Sequence, residues 1–215
     1  SQMSLPIDAW NKVMKWLHDF IRIAYDSTEK SDLIVFADCN PSFSIYTQIA
    51  LASCDSLIIP YTADDSSRRG IENVFALLYG ITADELQGYA KLSFSRKAVE
   101  EGVPIPRIHT FVSNRVTMYK GKPSSAFQAK SAPIRELAEA AALSHRKHFV
   151  NHKHTDDLFA EMPDYHSVAV VASSEGCPLS RLVSGHHEID GDTIQVNQSS
   201  INKYKAAVKK LSARL

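Results

Sequence analysis

Short unbroken apolar runs, alternating with stretches of helical periodicity, constrain this chain more than any other feature. Leu33-Ile34-Val35-Phe36-Ala37 is the first run, followed by Ser56 to Pro60, Ile108 to Asn114 and Val168 to Val171. Runs of that length suit strands covered on both faces, as in a parallel sheet. Helical stretches are expected between them, over Tyr46 to Ser53, Ser67 to Tyr79 and Ser131 to Phe149. Strands alternating with helices imply right-handed crossovers. The expected fold class is therefore α/β, a doubly wound, mostly parallel sheet with helices on both faces.

Other segments fill in the frame. Ile7, Trp10, Val13, Met14, Leu17, Phe20, Ile21 and Ala24 recur at three- and four-residue steps, which predicts one core-packing helix over 5–25. Pro6 sits where an early helical proline is tolerated. Ile189-Asp190-Gly191-Asp192-Thr193-Ile194 has the Asp-Gly signature of a hairpin, and a closing helix is expected from Ser200 to Leu215. No repeat, low-complexity tract or long linker interrupts the chain, so residues 1–215 are expected to form a single domain.

Composition narrows the function classes. Apolar residues make up 44% and charged residues 22%, the profile of an ordinary globular chain. Zero net charge leaves no global field, so contact with nucleic acid or an anionic membrane needs a local basic patch. Cys39, Cys54 and Cys177 stand far apart without metal-ligand spacing and read as reduced thiols of a cytoplasmic protein. No signal peptide opens the sequence, and no run approaches the ~20 apolar residues of a membrane span. Ser1-Gln2-Met3 reads as a cloning remnant or an internal cut.

Asp38 is the outstanding candidate for chemistry, an acid at the carboxyl end of an apolar run and followed by Cys39-Asn40-Pro41-Ser42. Ligands of open α/β sheets bind outside the carboxyl ends of strands. An acid there can accept hydrogen bonds from the hydration shell of Mg²⁺, which prefers hard oxygen ligands and keeps several waters. It can equally cap the following helix, as can Ser42 or Ser44. Position alone leaves both open.

The surrounding residues resemble a known pattern. Asp38-Cys39-Asn40-Pro41-Ser42, then Thr47, Ala50-Leu51, Asp55, Leu57-Ile58-Ile59-Pro60 and Gly70 are similar to the Walker B and switch II stretch of ParA/MinD-type P-loop ATPases, with Asn40 replacing the first of two prolines. Downstream, Ser113-Asn114-Arg115 falls where that family places polar residues against adenine. Met162-Pro163 and Ser173 to Leu179, with Gly176 and Pro178, resemble the turn that passes along the base. The resemblance implies ATP and Mg²⁺ as cofactors and Asp38 as the catalytic and Mg²⁺-directed acid, acting through water. It implies Asn40, Pro41 and Ser42 in switch II, and Asn114, Arg115 and Pro178 in nucleotide binding. It further implies a homodimer, non-specific DNA, a ParB-like activating partner, and a cytoplasmic protein associated with nucleoid or plasmid.

The family's deviant Walker A loop, K-G-G-x-G-K-S/T, does not occur here. That loop wraps phosphates with backbone N–H groups. Lys120-Gly121-Lys122-Pro123-Ser124 lacks the earlier glycine and is expected to be a surface loop. The chain as given is accordingly expected to be inactive alone, either because the native protein continues upstream or because it is a degenerate relative. His145-Arg146-Lys147-His148 with His152-Lys153-His154 can meet DNA phosphates or complement a helix C-terminus. The final helix can dock on its own domain or anchor to a bilayer. Three functions are therefore weighed: a partition ATPase, a non-catalytic interaction module with a degenerate nucleotide site, and a MinD-like membrane-positioning ATPase.

Overall fold

The computed structural model describes residues 8–28, 32–40, 42–81, 94–150 and 155–215. Contacts divide the chain into two units, one of 1–57, 69–108 and 145–150, the other of 58–68, 109–144 and 151–215. In chain order the helices and strands are α1 (Ala9–Met14), α2 (Trp16–Ser27), α3 (Ile45–Ala52), β1 (Ser56–Tyr61), α4 (Asp65–Tyr79), α5 (Phe94–Glu100) and β2 (Arg107–Val116). There follow β3 (Met118–Tyr119), β4 (Lys122–Pro123), α6 (Ser125–Ser144), β5 (Phe159–Pro163), α7 (Ser167–Ser174), β6 (Gly185–Ile189), β7 (Asp192–Val196) and α8 (Gln198–Ser212).

In the first unit, the helix expected over 5–25 is two helices that meet at Lys15, both packed on α3. Its apolar face is only partly inward. Met14 is fully buried, whereas α2 buries no residue and leaves Trp16, Phe20 and Ile23 each 66% exposed. The expectation of a core-packing helix therefore holds for α1 and fails for α2. Helix α4 turns Ile71, Phe75, Leu78 and Tyr79 inward at helical spacing. Phe75 meets Phe149 edge-on at 6.4 Å, and the Tyr79 hydroxyl donates to the Pro106 carbonyl at 2.9 Å. Phe94 of α5 gathers Trp10 and Phe43 at ring distances of 5.9 and 6.1 Å.

The strand expected at Leu33 to Ala37 does not form. Residues 32–40 run without regular structure and are exposed throughout. Apolar character makes a strand only when neighbours accept its backbone hydrogen bonds, and no strand pairs with this run among the described residues.

The second unit carries the sheet, in the order β1-β2-β5, to which β1 contributes 58–61 and β2 contributes 109–116. This is an α/β fold on a parallel three-stranded sheet flanked by helices. Strands β2 and β5 run parallel, with Phe111 opposite Phe159, Val112 opposite Ala160 and Ser113 opposite Glu161. The paired phenyl rings stack at 5.8 Å, and the Arg135 guanidinium of α6 lies 4.0 Å from the Phe159 ring centre. Helix α6 starts earlier than expected because Ser124 caps it, accepting from the Phe127 N–H at 3.3 Å. It also stops at Ser144, five residues short of Phe149, and Pro133 is accommodated inside it.

Val168 to Val171, expected as a fourth strand, is helical. Val168 and Val171 are fully buried while Val170 is 48% exposed. Burial at a three-residue step with exposure between is a helical pattern; a strand would put Val168 and Val170 on one face. Four apolar residues are too few for the sequence to reveal that period. Both valines pack with Leu182, Val196 and Ile201 into one cluster. The hairpin appears where expected, β6 and β7 joined through Asp190 and Gly191, both at positive φ. Val168→Ala and Val171→Ala are each expected to lower unfolding free energy by about 2 kcal/mol. Val170→Ala should stay within ~0.5 kcal/mol. Urea titration of the three variants checks the helical assignment, and equal losses at Val168 and Val170 would contradict it.

Candidate functional site

The turn around Asp38 is built from hydrogen bonds a few residues apart. The Asn40 side-chain oxygen accepts from the Ser42 N–H at 2.9 Å, closing an Asx turn. The Ser44 hydroxyl accepts from the Thr47 N–H at 3.5 Å and caps α3. The buried Thr47 hydroxyl reaches back to the Ser42 carbonyl at 2.8 Å and the Asn40 carbonyl at 3.2 Å. Thr47 thus fastens the helix to the turn that precedes it. Asp38 and Asn40 are exposed on this turn, Ser42 likewise, and Pro41 lies outside the described residues. Asp38 does not end a strand, because none forms there; its carboxylate stands in solvent. Partial burial raises the Cys39 and Cys54 thiols, with Asp38 adding at Cys39 and Cys39 adding at Cys54, so neither is an activated nucleophile.

Beyond β1 the chain enters α4 through a second polar turn. The Asp64 carboxylate accepts from the Ser66 hydroxyl at 2.6 Å, from the Ser67 N–H at 2.7 Å and from the Thr62 hydroxyl. These bonds hold its carboxyl well below the usual range, the Ser66 hydroxyl contributing most. Asp64 is not among the sequence-predicted candidates. Its signal is nonetheless present in Asp64-Asp65-Ser66-Ser67, an acidic cap opening a helix. Gly70, part of the resemblance, is surrounded by open space: a methyl group added there would meet nothing within 4 Å. Nothing in the structure requires a glycine at this position.

The remaining candidates belong to the second unit. Between Ser113 and Val116 the register of β2 against β5 shifts, and Arg115 has φ +56°. Asn114 and Arg115 form this bulge, exposed, with the Asn114 side-chain oxygen accepting from the Arg115 N–H at 3.0 Å. Bulges re-aim side chains and are common beside functional sites. Pro178 sits just past α7 in an exposed turn. Cys177 N–H donates to the Ala172 carbonyl at 2.9 Å and Gly176 N–H to the Ser173 carbonyl at 3.2 Å, with Gly176 at φ +58°. That pair of bonds is a Schellman stop, so Gly176 and Pro178 have a structural reason to be there.

Other features resolve individually. Lys120 and Gly121 form the tip of the β3–β4 hairpin, both at positive φ, an exposed surface turn as expected. Arg146–His148 make a 3-10 turn; His148 lies 4.5 Å from the Tyr79 ring, and burial, then Lys147 and His145, lower its pKa. His152, Lys153 and His154 lie outside the described residues. Helix α8 buries Ile201 and stacks Tyr204 on Tyr165 at 4.5 Å. Among the described residues no helix is long and apolar enough to cross a membrane, and no cluster of three or more metal-ligating side chains occurs.

Residues 13–87 match the family model described as an AAA domain, a stretch that includes the Asp38 turn, α3, β1 and the capped entry to α4. The match supports a relationship to the P-loop ATPase superfamily. No curated protein and no solved structure matches the chain.

Two variants probe the turns. Thr47→Val removes a buried hydroxyl that serves two carbonyls and is expected to cost about 1–3 kcal/mol. Asp64→Ala removes the α4 cap and is expected to cost ~1 kcal/mol near neutral pH. Because Asp64 is depressed in the folded state, its contribution is present above the ordinary aspartate value of ~3.9 and is lost as pH falls below it. Thermal midpoints of Asp64→Ala and the parent should therefore converge in acid; a gap that persists there would assign the loss to something other than the carboxylate.

Proposed function

We propose that this chain is part of a ParA-type partition ATPase, working through ATP-dependent dimerisation and non-specific DNA binding. The supporting observation is the Asp38 turn, in which motif residues from Asp38 to Pro60 follow the family's order within the stretch that matches an AAA domain. In this reading Asp38 is the acid directed at Mg²⁺ through water, and Asn40, Pro41 and Ser42 form the switch. Asn114, Arg115 and Pro178 contact the nucleotide base. A ParB-like activator, a homodimeric partner and a cytoplasmic nucleoid or plasmid setting follow from the same family reading.

The chemistry of the donors bears on this in two ways. The exposed Asp38 carboxylate is a hard oxygen ligand of the kind that accepts from Mg²⁺-bound water. The described residues offer no glycine-rich phosphate cradle, since Lys120-Gly121 is a hairpin tip. ATP with Mg²⁺ would supply the transferable phosphoryl group. What this chain contributes is an exposed acid two residues before a hydrogen-bonded turn. Membrane positioning is disfavoured by α8, whose Ile201 and Tyr204 are occupied within their own unit.

As given, the chain should show no Mg²⁺-dependent ATP turnover above buffer, because phosphoryl transfer depends on positioned phosphates. Joined downstream of a Walker A strand-loop-helix, it should hydrolyse ATP, and Asp38→Ala should reduce that rate at least ~tenfold. The thermal midpoint should barely move, since Asp38 is exposed. Turnover by the chain alone, or a joined protein whose rate ignores Asp38, would overturn the assignment. Nucleotide-independent partner binding with no turnover in either form would indicate the interaction module instead.

A further inference from the structure

His187 holds two acceptors at once. Its Nδ1 lies 2.6 Å from the Glu175 carboxylate and its Nε2 lies 3.1 Å from the Val183 carbonyl. A carbonyl only accepts, and an ionised carboxylate only accepts, so both ring nitrogens must donate and the imidazole must be the cation. Wherever the proton rests along the short contact to Glu175, the pair carries one more proton than neutral imidazole beside carboxylate. The His187 side chain is 10% exposed and that of Glu175 is 37% exposed, so the pair sits at the surface with its imidazole side covered.

The position of Glu175 gives the cation a task. Glu175 is the C-cap of α7, where the helix presents its unsatisfied carbonyls and its negative dipole end. An acid is disfavoured there, and the residues that follow it are the Schellman turn carrying Pro178. The imidazolium neutralises Glu175 and, through Val183, ties the loop after Pro178 to β6. Other charged groups do not compete. His186 and Glu188 fall on the opposite face of β6, and Glu188 accepts from the Thr193 hydroxyl at 2.6 Å. Ile194 is opposite His187 on β7. Of the cations on the adjoining loop and helix, Arg181 is exposed and Lys205 is turned to the Ser180 carbonyl at 3.4 Å.

We propose that Glu175 and His187 form a protonation-dependent clamp that fixes the Glu175–Pro178 turn, making His187 a positioning residue for Pro178. Its link to nucleotide rests on the reading of Pro178 given above; the clamp itself does not. The hydrogen bond that His187 donates to Glu175, then the one it donates to the Val183 carbonyl, raises the His187 pKa. A raised histidine stabilises the fold fully below its ordinary value of ~6.5, and the contribution is lost as pH rises through the folded value.

The test is an NMR titration of the chain from about pH 5 to about pH 9, following all nine imidazoles and the turn amides. His187 should titrate above the ordinary histidine value of ~6.5, and the Gly176 and Cys177 amides should shift with the His187 midpoint. Glu175→Gln should return that midpoint to the ordinary histidine range and abolish the coupled amide shifts, while Glu175→Asp should retain part of both. A His187 midpoint at or below the ordinary histidine value, or turn amides silent through the titration, would overturn the clamp. No nucleotide enters the measurement, so its result is independent of whether Pro178 meets a base.

Discussion

Parallel pairing of β2 with β5 is the constraint on which the second unit depends. Parallel neighbours cannot be joined by a tight turn, so the chain must travel back from the carboxyl end of β2 to the amino end of β5. The return path contains the β3–β4 hairpin and the long helix α6. Because α6 must cover the strands it connects, Ile134, Ala138 and Ala141 face inward, and Arg135 lays its guanidinium over Phe159. The same pairing places the bulge at Asn114 and Arg115, where β2 outlasts its regular register. A candidate for ligand contact is thus a by-product of how two strands end.

The small polar turns follow a common logic. At the Asp38 turn, at Asp64 and at the Glu175 turn, the chain enters or leaves a helix, and hydrogen bonds to groups that the helix end leaves unpaired hold it there. Thr47 of α3 and Ser67 of α4 donate their N–H groups to the first two turns, and Cys177 of the third donates to the Ala172 carbonyl of α7. Such turns are firm without being buried, which suits residues that must meet a ligand in water.

Much of this frame was legible from the residues. Strands β1 and β2, helices α3 and α4, the Asp-Gly hairpin and the closing helix lie close to where periodicity and turn chemistry put them. The failures share a physical cause. Leu33 to Ala37 and Val168 to Val171 are both short, apolar and rich in β-branched residues, and such runs take their conformation from their surroundings. The second found a cluster of Leu182, Val196 and Ile201 to pack against at helical spacing; the first found no strand partner among the described residues. The Glu175–His187 pair was invisible for another reason. Its partners are twelve residues apart and meet because the loop after α7 brings the chain back, as β6, to the end of that helix. For the candidate site, the motif singled out Asp38 and its neighbours as candidates, whereas the hydrogen bonds among Asn40, Ser42 and Thr47 appeared only in three dimensions.

The run before Asp38 has a consequence for the chain's behaviour in company. Ile34 and Phe36 are 79% and 72% exposed, and an exposed, uncharged, apolar stretch can recruit other chains into strand pairing. Asp32 and Asp38 bracket that stretch, one at each end. Charges so placed act as gatekeepers, since stacking copies in register would stack like charges at both borders. The placement of Asp32 and Asp38 at the borders of the stretch disfavours in-register stacking of copies, an effect of charge position that does not depend on any nucleotide.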